Sequence, residues 1–187
     1  MASVAYLVRH GQTASSKRKA YSGRSDVALT ELGREQARAV AQRLAELGVD
    51  AIFSSPLSRA RDTAQAIADA TGAPLTVDER LTEIDYHAFE GLDRAQARER
   101  FGQAFEDWRA DPFGSPVEGM EPLGDALERA RAAIAEALET CERPVIVGHQ
   151  GILRIVLIAL GELAAEDYFT VRLHEAEPIA VPAPRIA

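Results

Sequence analysis

The chain has 187 residues, 47% of them hydrophobic, with 21 Lys and Arg against 29 Asp and Glu for a net charge of -8. That length and apolar content furnish one sizeable core and fall short of two, so a single domain over residues 1–187 is predicted. The acidic balance argues against a nucleic-acid partner, which calls for a basic face, so any anion site must be local.

A first apolar run at residues 3–8 reads as a buried strand. Thr30 is a plausible N-cap for a long helix in which Ala37, Val40, Ala41, Leu44 and Leu47 recur at helical spacing before Gly48 stops it. A second strand is predicted at 51–53, then a helix at 56–70 with Pro56 early in its first turn and Gly72 just past its end. A third strand follows at 75–77. Residues 92–108, within a segment at about 92–121, read as a helical but more polar insertion. A helix at 123–138, a strand at 145–147 and a helix at 152–160 ended by Gly161 complete the pattern. The Pro/Ala tail at 178–187 is expected to be loosely ordered.

Cys141 is the only cysteine, so no intramolecular disulfide can form, and a half-buried place near a helix end is its expected role. Arg9 interrupts the N-terminal apolar run before it reaches signal-peptide length, and no apolar run approaches the ~18 residues of a spanning helix. A cytoplasmic location without membrane contact is the expectation.

Strands alternating with helices predict an α/β fold, a three-layer α/β/α sandwich with a mostly parallel central sheet. In such sheets ligands bind beyond the carboxyl ends of the strands. Val8-Arg9-His10-Gly11, Phe53-Ser54-Ser55-Pro56 and Val147-Gly148-His149-Gln150-Gly151 all sit at such ends. Arginine forks beside a helix N-terminus suit a phosphoryl group, with its multiple charges and acceptor oxygens. An imidazole adds what a plain anion site lacks: its nitrogen can attack phosphorus, while a second, cationic imidazole stabilises the transferring oxygens. The glycines after each histidine, Gly11 and Gly151, would let backbone and substrate approach closely.

Val8-Arg9-His10-Gly11-Gln12-Thr13 resembles the signature of the histidine phosphatase superfamily, the phosphoglycerate-mutase-like fold. The resemblance runs in order along nearly the whole chain. It continues through Gly23-Arg24-Ser25-Asp26-Val27-Ala28-Leu29-Thr30 with Gly33, then Ser54-Ser55-Pro56-Leu57-Ser58-Arg59-Ala60-Arg61-Asp62-Thr63-Ala64. Leu81-Thr82-Glu83-Ile84-Asp85 with Glu90-Gly91, and finally Val147-Gly148-His149-Gln150-Gly151, complete it. It implies that His10 is the nucleophile, that Arg9 and Arg59 clamp the phosphate, and that His149 completes the pocket. Glu83 is the implied proton donor to the leaving alcohol and then the base for water, a role that fits a carboxyl group beside a desolvated pocket. Asp85 and Glu90 lie close enough in sequence to supply that carboxylate instead. Gly11, Ser16, Gly23, Gln150, Gly151 and His87 complete the expected substrate-contacting set. No metal and no cofactor are implied.

Taken singly, a histidine at a strand end is more often packing than chemistry, and Arg59 alone could be an exposed helix arginine like Arg61. Arg34, Arg38 and Arg43 read as a solvated helix face. The chain also departs from the family pattern. Ser15-Ser16 stands where Trp-Asn is common, leaving Ser16 one hydroxyl to donate. His87 replaces a common glycine, and His174-Glu175-Ala176 replaces an Asn-containing segment and brings an extra His and Glu near the site.

Mutases of this family are longer, with a basic lid that excludes water. Here Arg94, Arg98, Arg100 and Arg109 of the insertion are balanced in sequence by Glu99, Glu106, Asp107 and Asp111, which favours hydrolysis. Phe101, Phe105, Trp108 and Phe113 read first as packing and second as an apolar wall for a larger leaving group. The expected function is metal-independent hydrolysis of a small phosphate ester, a sugar phosphate or similar, through a phosphohistidine. The alternatives are a cofactor-dependent phosphoglycerate mutase and a non-catalytic phosphate-binding module. The expected partner is the small-molecule ester, and a homodimer is compatible with the sequence.

Overall fold

The computed structural model describes residues 3–183. Its core is a five-stranded sheet in the order β3-β2-β4-β1-β5, built from β1 (Ser3–Arg9), β2 (Ala51–Ser54), β3 (Leu75–Val77), β4 (Pro144–Gly148) and β5 (Pro178–Ala183). The first four strands run parallel, with Val8 beside Val147 and Ser54 also beside Val147 in the register. β5 runs antiparallel along the outer edge of β1. Part of the tail expected to be loose is therefore an edge strand; its Pro182 sits where an edge tolerates a missing N–H. Residues 184–187 lie outside the described residues.

Seven α-helices accompany the strands among the described residues: α1 (Ala14–Lys17), α2 (Glu31–Ala45), α3 (Ser58–Thr71), α4 (Arg94–Phe101), α5 (Gln103–Ala110), α6 (Leu123–Thr140) and α7 (Gln150–Ala159). The period-two alternation of the strands separates two cores. Val8, Ile52, Val145 and Val147 pack with Val40, Leu44 and Ile67 of α2 and α3. Ala5, Leu7 and Ile146 pack on the opposite side with α6, α7 and the insertion. The three-layer α/β/α architecture follows from that division.

The helix boundaries have local causes. Thr30 caps α2 by accepting from the Gly33 N–H at 3.1 Å. Pro56 lies before α3, which begins at Ser58 because Leu57 is extended; the N–H of Ser58 is met by the Asp26 carboxylate at 2.8 Å. Gly72, at φ 72°, closes α3 in the left-handed conformation that glycine adopts without a Cβ clash. The insertion is two helices, α4 and α5, hinged at Gly102. Phe105 and Trp108 are fully buried in the larger core against Phe89, which bears out their reading as packing. Cys141 is the half-buried C-cap of α6. No helix among the described residues is long and apolar enough to cross a membrane.

Candidate active site

β1, β2 and β4 end side by side, and a cavity of about 470 Å³ opens beyond them. Arg9, His10, Ser16, Arg59, Glu83 and Gln150 line it. Of the predicted residues, His87 is not brought there. Its backbone, at φ 44°, turns the exposed side chain toward Gly119, where a Cβ would come within 2.7 Å of the ring Nδ1. His174 is also exposed, whereas Glu175 does reach the cavity.

His10 is almost wholly buried at the end of β1. Its Nδ1 lies 2.7 Å from the carbonyl oxygen of Gly11, which can only accept, so Nδ1 carries the proton and Nε2 keeps its lone pair. Burial first, then the charges of Arg9 and Arg59, hold the ring well below the ordinary 6.5, so the imidazole is neutral near pH 7. A neutral ring with Nε2 unprotonated is the state a nucleophile needs.

His149 differs from its expected role. Its Nδ1 accepts from the Arg59 Nε–H at 3.1 Å, and its Nε2 is 2.8 Å from the Ser55 hydroxyl. Both nitrogens are thereby engaged, and the ring packs behind His10 with centroids 5.1 Å apart, outside the cavity wall. Burial, then Arg59, pushes it well below 6.5, so the ring is neutral near pH 7.

Arg59 is 1% exposed, far from an ordinary helix arginine. Besides its bond to His149, it donates to the carbonyls of Ser25, Ser22 and Gly23 at 2.7, 3.1 and 2.9 Å. Four of the guanidinium's five N–H groups are occupied, and one remains for a ligand. Arg9 is held by Gln150 Oε1 at 3.3 Å and the Leu173 carbonyl at 3.1 Å, with Glu175 at 3.8 Å. Its Nε is buried without a protein partner.

The choice among three carboxylates is made by tertiary contacts. Glu90 grips the Gly23 N–H with both oxygens, at 3.1 and 2.9 Å, and Asp85 accepts from the His87 N–H at 2.8 Å. Glu83 reaches the cavity. Its Oε1 accepts from the N–H groups of Ile84 and Ile152 at 2.9 and 2.8 Å, and its Oε2 accepts only from that of Gly151 at 2.9 Å. It thus caps α7 from a distant segment, giving acceptors to N–H groups that the first turn of a helix leaves without partners. Arg129 holds that segment by donating to the Arg80 and Thr82 carbonyls at 2.6 and 2.7 Å.

The glycines allow close packing within the chain. A Cβ on Gly11 would strike the Gly33 carbonyl oxygen, one on Gly23 the Ile84 carbonyl oxygen, and one on Gly151 would lie 2.6 Å from Glu83 Oε1. Ser16 is also spent locally: it exchanges bonds with Thr13 in the α1 capping box and donates its proton to the Thr13 carbonyl. Sequence reasoning missed Ser22, whose buried Oγ has no protein partner and lines the cavity, and Tyr21, Tyr86 and Phe169, which form the apolar wall. A serine or an aromatic in a loop gives no local signal of that placement.

A mostly parallel α/β sandwich whose strand ends gather a neutral histidine, a buried and a half-buried arginine and a helix-capping carboxylate defines a phosphoryl-binding class of site. Residues 5–181 match the sequence profile of the histidine phosphatase superfamily (branch 1), and the chain belongs to that family. It is 35% identical over 176 residues to the "Probable phosphoglycerate mutase GpmB" of Erwinia tasmaniensis, covering 90% of this chain and 79% of that one. Among solved structures, "Mycobacterial hydrolase 1" superposes with a TM-score of 0.87 at 30% identity, over 96% of this chain and 88% of that one. A mycobacterial glucosyl-3-phosphoglycerate phosphatase, solved with VO3, gives a TM-score of 0.86 at 30% identity, over 96% and 90% of the two chains.

Proposed function

We propose that the chain is a phosphoric monoester hydrolase that works through a phosphohistidine on His10. The observation that carries this reading is the neutral His10 with its Nδ1 proton fixed on Gly11 and its Nε2 free, set among the two arginines. Nε2 attacks phosphorus while Arg9, the remaining N–H of Arg59 and the Ser22 hydroxyl hold the equatorial oxygens. The P–O ester bond breaks, and the leaving oxygen takes a proton from Glu83 Oε2, the oxygen with a single N–H on it. Water then attacks the phosphoryl group, gives its proton back to Glu83, and the P–N bond breaks to release inorganic phosphate and restore His10.

Hydrolysis is favoured over transfer to a second substrate oxygen by the exposed cavity rim. Lys19, Arg94 and Arg172 there stand in solvent, so water reaches the phosphohistidine. One observation favours the mutase reading: Arg94 and Arg109 of the insertion turn into the cavity. The sequence balance of the insertion does not hold there, because Glu106 pairs with Arg98 instead.

The test is intact-mass and acid-labile phosphate analysis of protein quenched during turnover of phosphate esters without added metal, with His10→Ala alongside. One phosphoryl group on the wild type alone, with inorganic phosphate released, is the expected result. An active His10→Ala protein removes the nucleophile assignment, and conversion of 3-phosphoglycerate dependent on a bisphosphate primer, without phosphate release, selects the mutase.

A further inference from the structure

Glu83 stands on a stretch, residues 83–86, that has no regular secondary structure. His10 follows β1, His149 precedes α7 and Arg59 lies in α3, so a strand or helix places each of them, whereas none places Glu83. The bonds its carboxylate accepts orient the two oxygens but leave open what holds the backbone from which the side chain projects. That backbone matters, because a misplacement of about 1 Å in a reacting group can cost on the order of a hundredfold in rate.

Two side chains that do not line the cavity hold it: Arg129 of α6, and Glu121 shortly before that helix. On the upstream side, Arg129 Nη1 donates to the carbonyls of Arg80 at 2.6 Å and Thr82 at 2.7 Å. Its Nε and Nη2 donate to Glu121 Oε1 and Oε2 at 2.7 and 3.0 Å, a forked pairing that a guanidinium offers and an ammonium does not. On the downstream side, Glu121 Oε2 accepts from the Asp85 N–H at 3.0 Å, and the Glu121 N–H donates to the Asp85 carbonyl at 3.0 Å. Four of the five N–H groups of Arg129 are committed in this way. One part-buried ion pair therefore grips the chain at residues 80, 82 and 85, before and after residue 83.

We propose that Arg129 and Glu121 are positioning residues for proton transfer, acting on the reaction only through Glu83. The inference rests on the phosphatase reading, in which Glu83 protonates the leaving oxygen. The pair fixes the backbone on both sides of Glu83, so that Oε2 meets that oxygen as the P–O bond breaks. A role through Glu83 has a signature that a general contribution to stability lacks. It matters where the leaving group needs a proton, and it vanishes once the Glu83 carboxylate is gone.

The test measures kcat/KM, which reports the steps up to phosphoryl transfer, on ethyl phosphate and on 4-nitrophenyl phosphate. Arg129→Gln should lower it about thirtyfold or more on the ethyl ester and less than about threefold on the nitrophenyl ester. Arg129→Lys keeps the charge but not the fork, and Glu121→Gln keeps an acceptor for the Asp85 N–H; both should show the same selective loss to a smaller degree. In a Glu83→Gln background, Arg129→Gln should cost no more than about a further twofold on ethyl phosphate. Near-UV circular dichroism at the assay temperature establishes that each variant is folded. Equal losses on the two esters, or an undiminished loss in the Glu83→Gln background, overturn the inference while leaving the phosphatase reading intact. If all three single variants unfold, the pair serves stability alone and the inference falls as well. Absence of turnover of both esters by the native chain removes the phosphatase reading and the inference with it.

Discussion

The Nε–H of Arg59 donates to Nδ1 of His149 at 3.1 Å, inside a region where both side chains are buried to within 1%. The bond joins a strand-end histidine to a helix arginine 90 positions away, and it fixes two things together. It sets the His149 tautomer, with the proton on Nε2 toward Ser55. It also aims the other face of Arg59 at the carbonyls of residues 22–25, so the loop and the phosphate cradle are one unit.

His149→Ala leaves the Arg59 Nε–H buried without an acceptor, which costs about 1–3 kcal/mol. Activity on phosphate esters should fall by roughly two to three orders of magnitude as the cradle loosens. His149→Asn, whose side-chain oxygen can take the place of Nδ1, should recover part of both losses. Thermal unfolding and steady-state kinetics on the two variants check this; equal damage from Ala and Asn would detach the Arg59 bond from the effect.

Stability should decline on acidification through the histidine range. Burial holds His10 and His149 well below 6.5 in the folded chain, whereas the unfolded chain takes up protons near 6.5. Below that pH the unfolded state binds more protons, so stability that is fully present above 6.5 is lost as pH falls, each ring contributing a slope of up to about 1.4 kcal/mol per pH unit. Urea midpoints measured between neutral and mildly acidic pH should show this decline, and His10→Asn/His149→Asn should flatten it.

Gly151→Ala places a Cβ 2.6 Å from Glu83 Oε1 and 2.5 Å from the Tyr86 hydroxyl. Glu83 must withdraw, which uncaps α7 and moves the proton donor. A loss in kcat larger than any rise in KM, with a lowered Tm, is expected. A shift in KM alone would place the effect on binding instead.

Glu83→Gln separates proton donation from capping. An alkyl alcohol needs a proton as it leaves, whereas a nitrophenolate leaves without one. The variant should lose about a hundredfold or more on an alkyl phosphate and much less on nitrophenyl phosphate. Equal losses on the two esters would show that Glu83 acts through structure only.

By itself the sequence marked the four parallel strands and the main helices between them, and, through motifs resembling those of the family, Arg9, His10, Arg59, Glu83 and His149 as candidate site residues. These were legible because each is a local pattern: an apolar run broken by a polar strand end, a cap before a periodic helix, a short motif in sequence order. Tertiary structure alone decided what those residues do to one another. It turned Pro178–Ala183 into an edge strand because the flank of β1 offered a ladder that a Pro/Ala composition does not announce. It chose Glu83 over Asp85 and Glu90, sent His87 toward Gly119, and placed His149 behind His10 rather than in the cavity wall. It also brought Arg94, Arg109, Arg154 and Arg172 together from four separate segments. Charge balance counted along the chain could not show this, because the pairing of a long side chain depends on which groups the fold places within a few ångströms of it, not on which residues neighbour it in sequence.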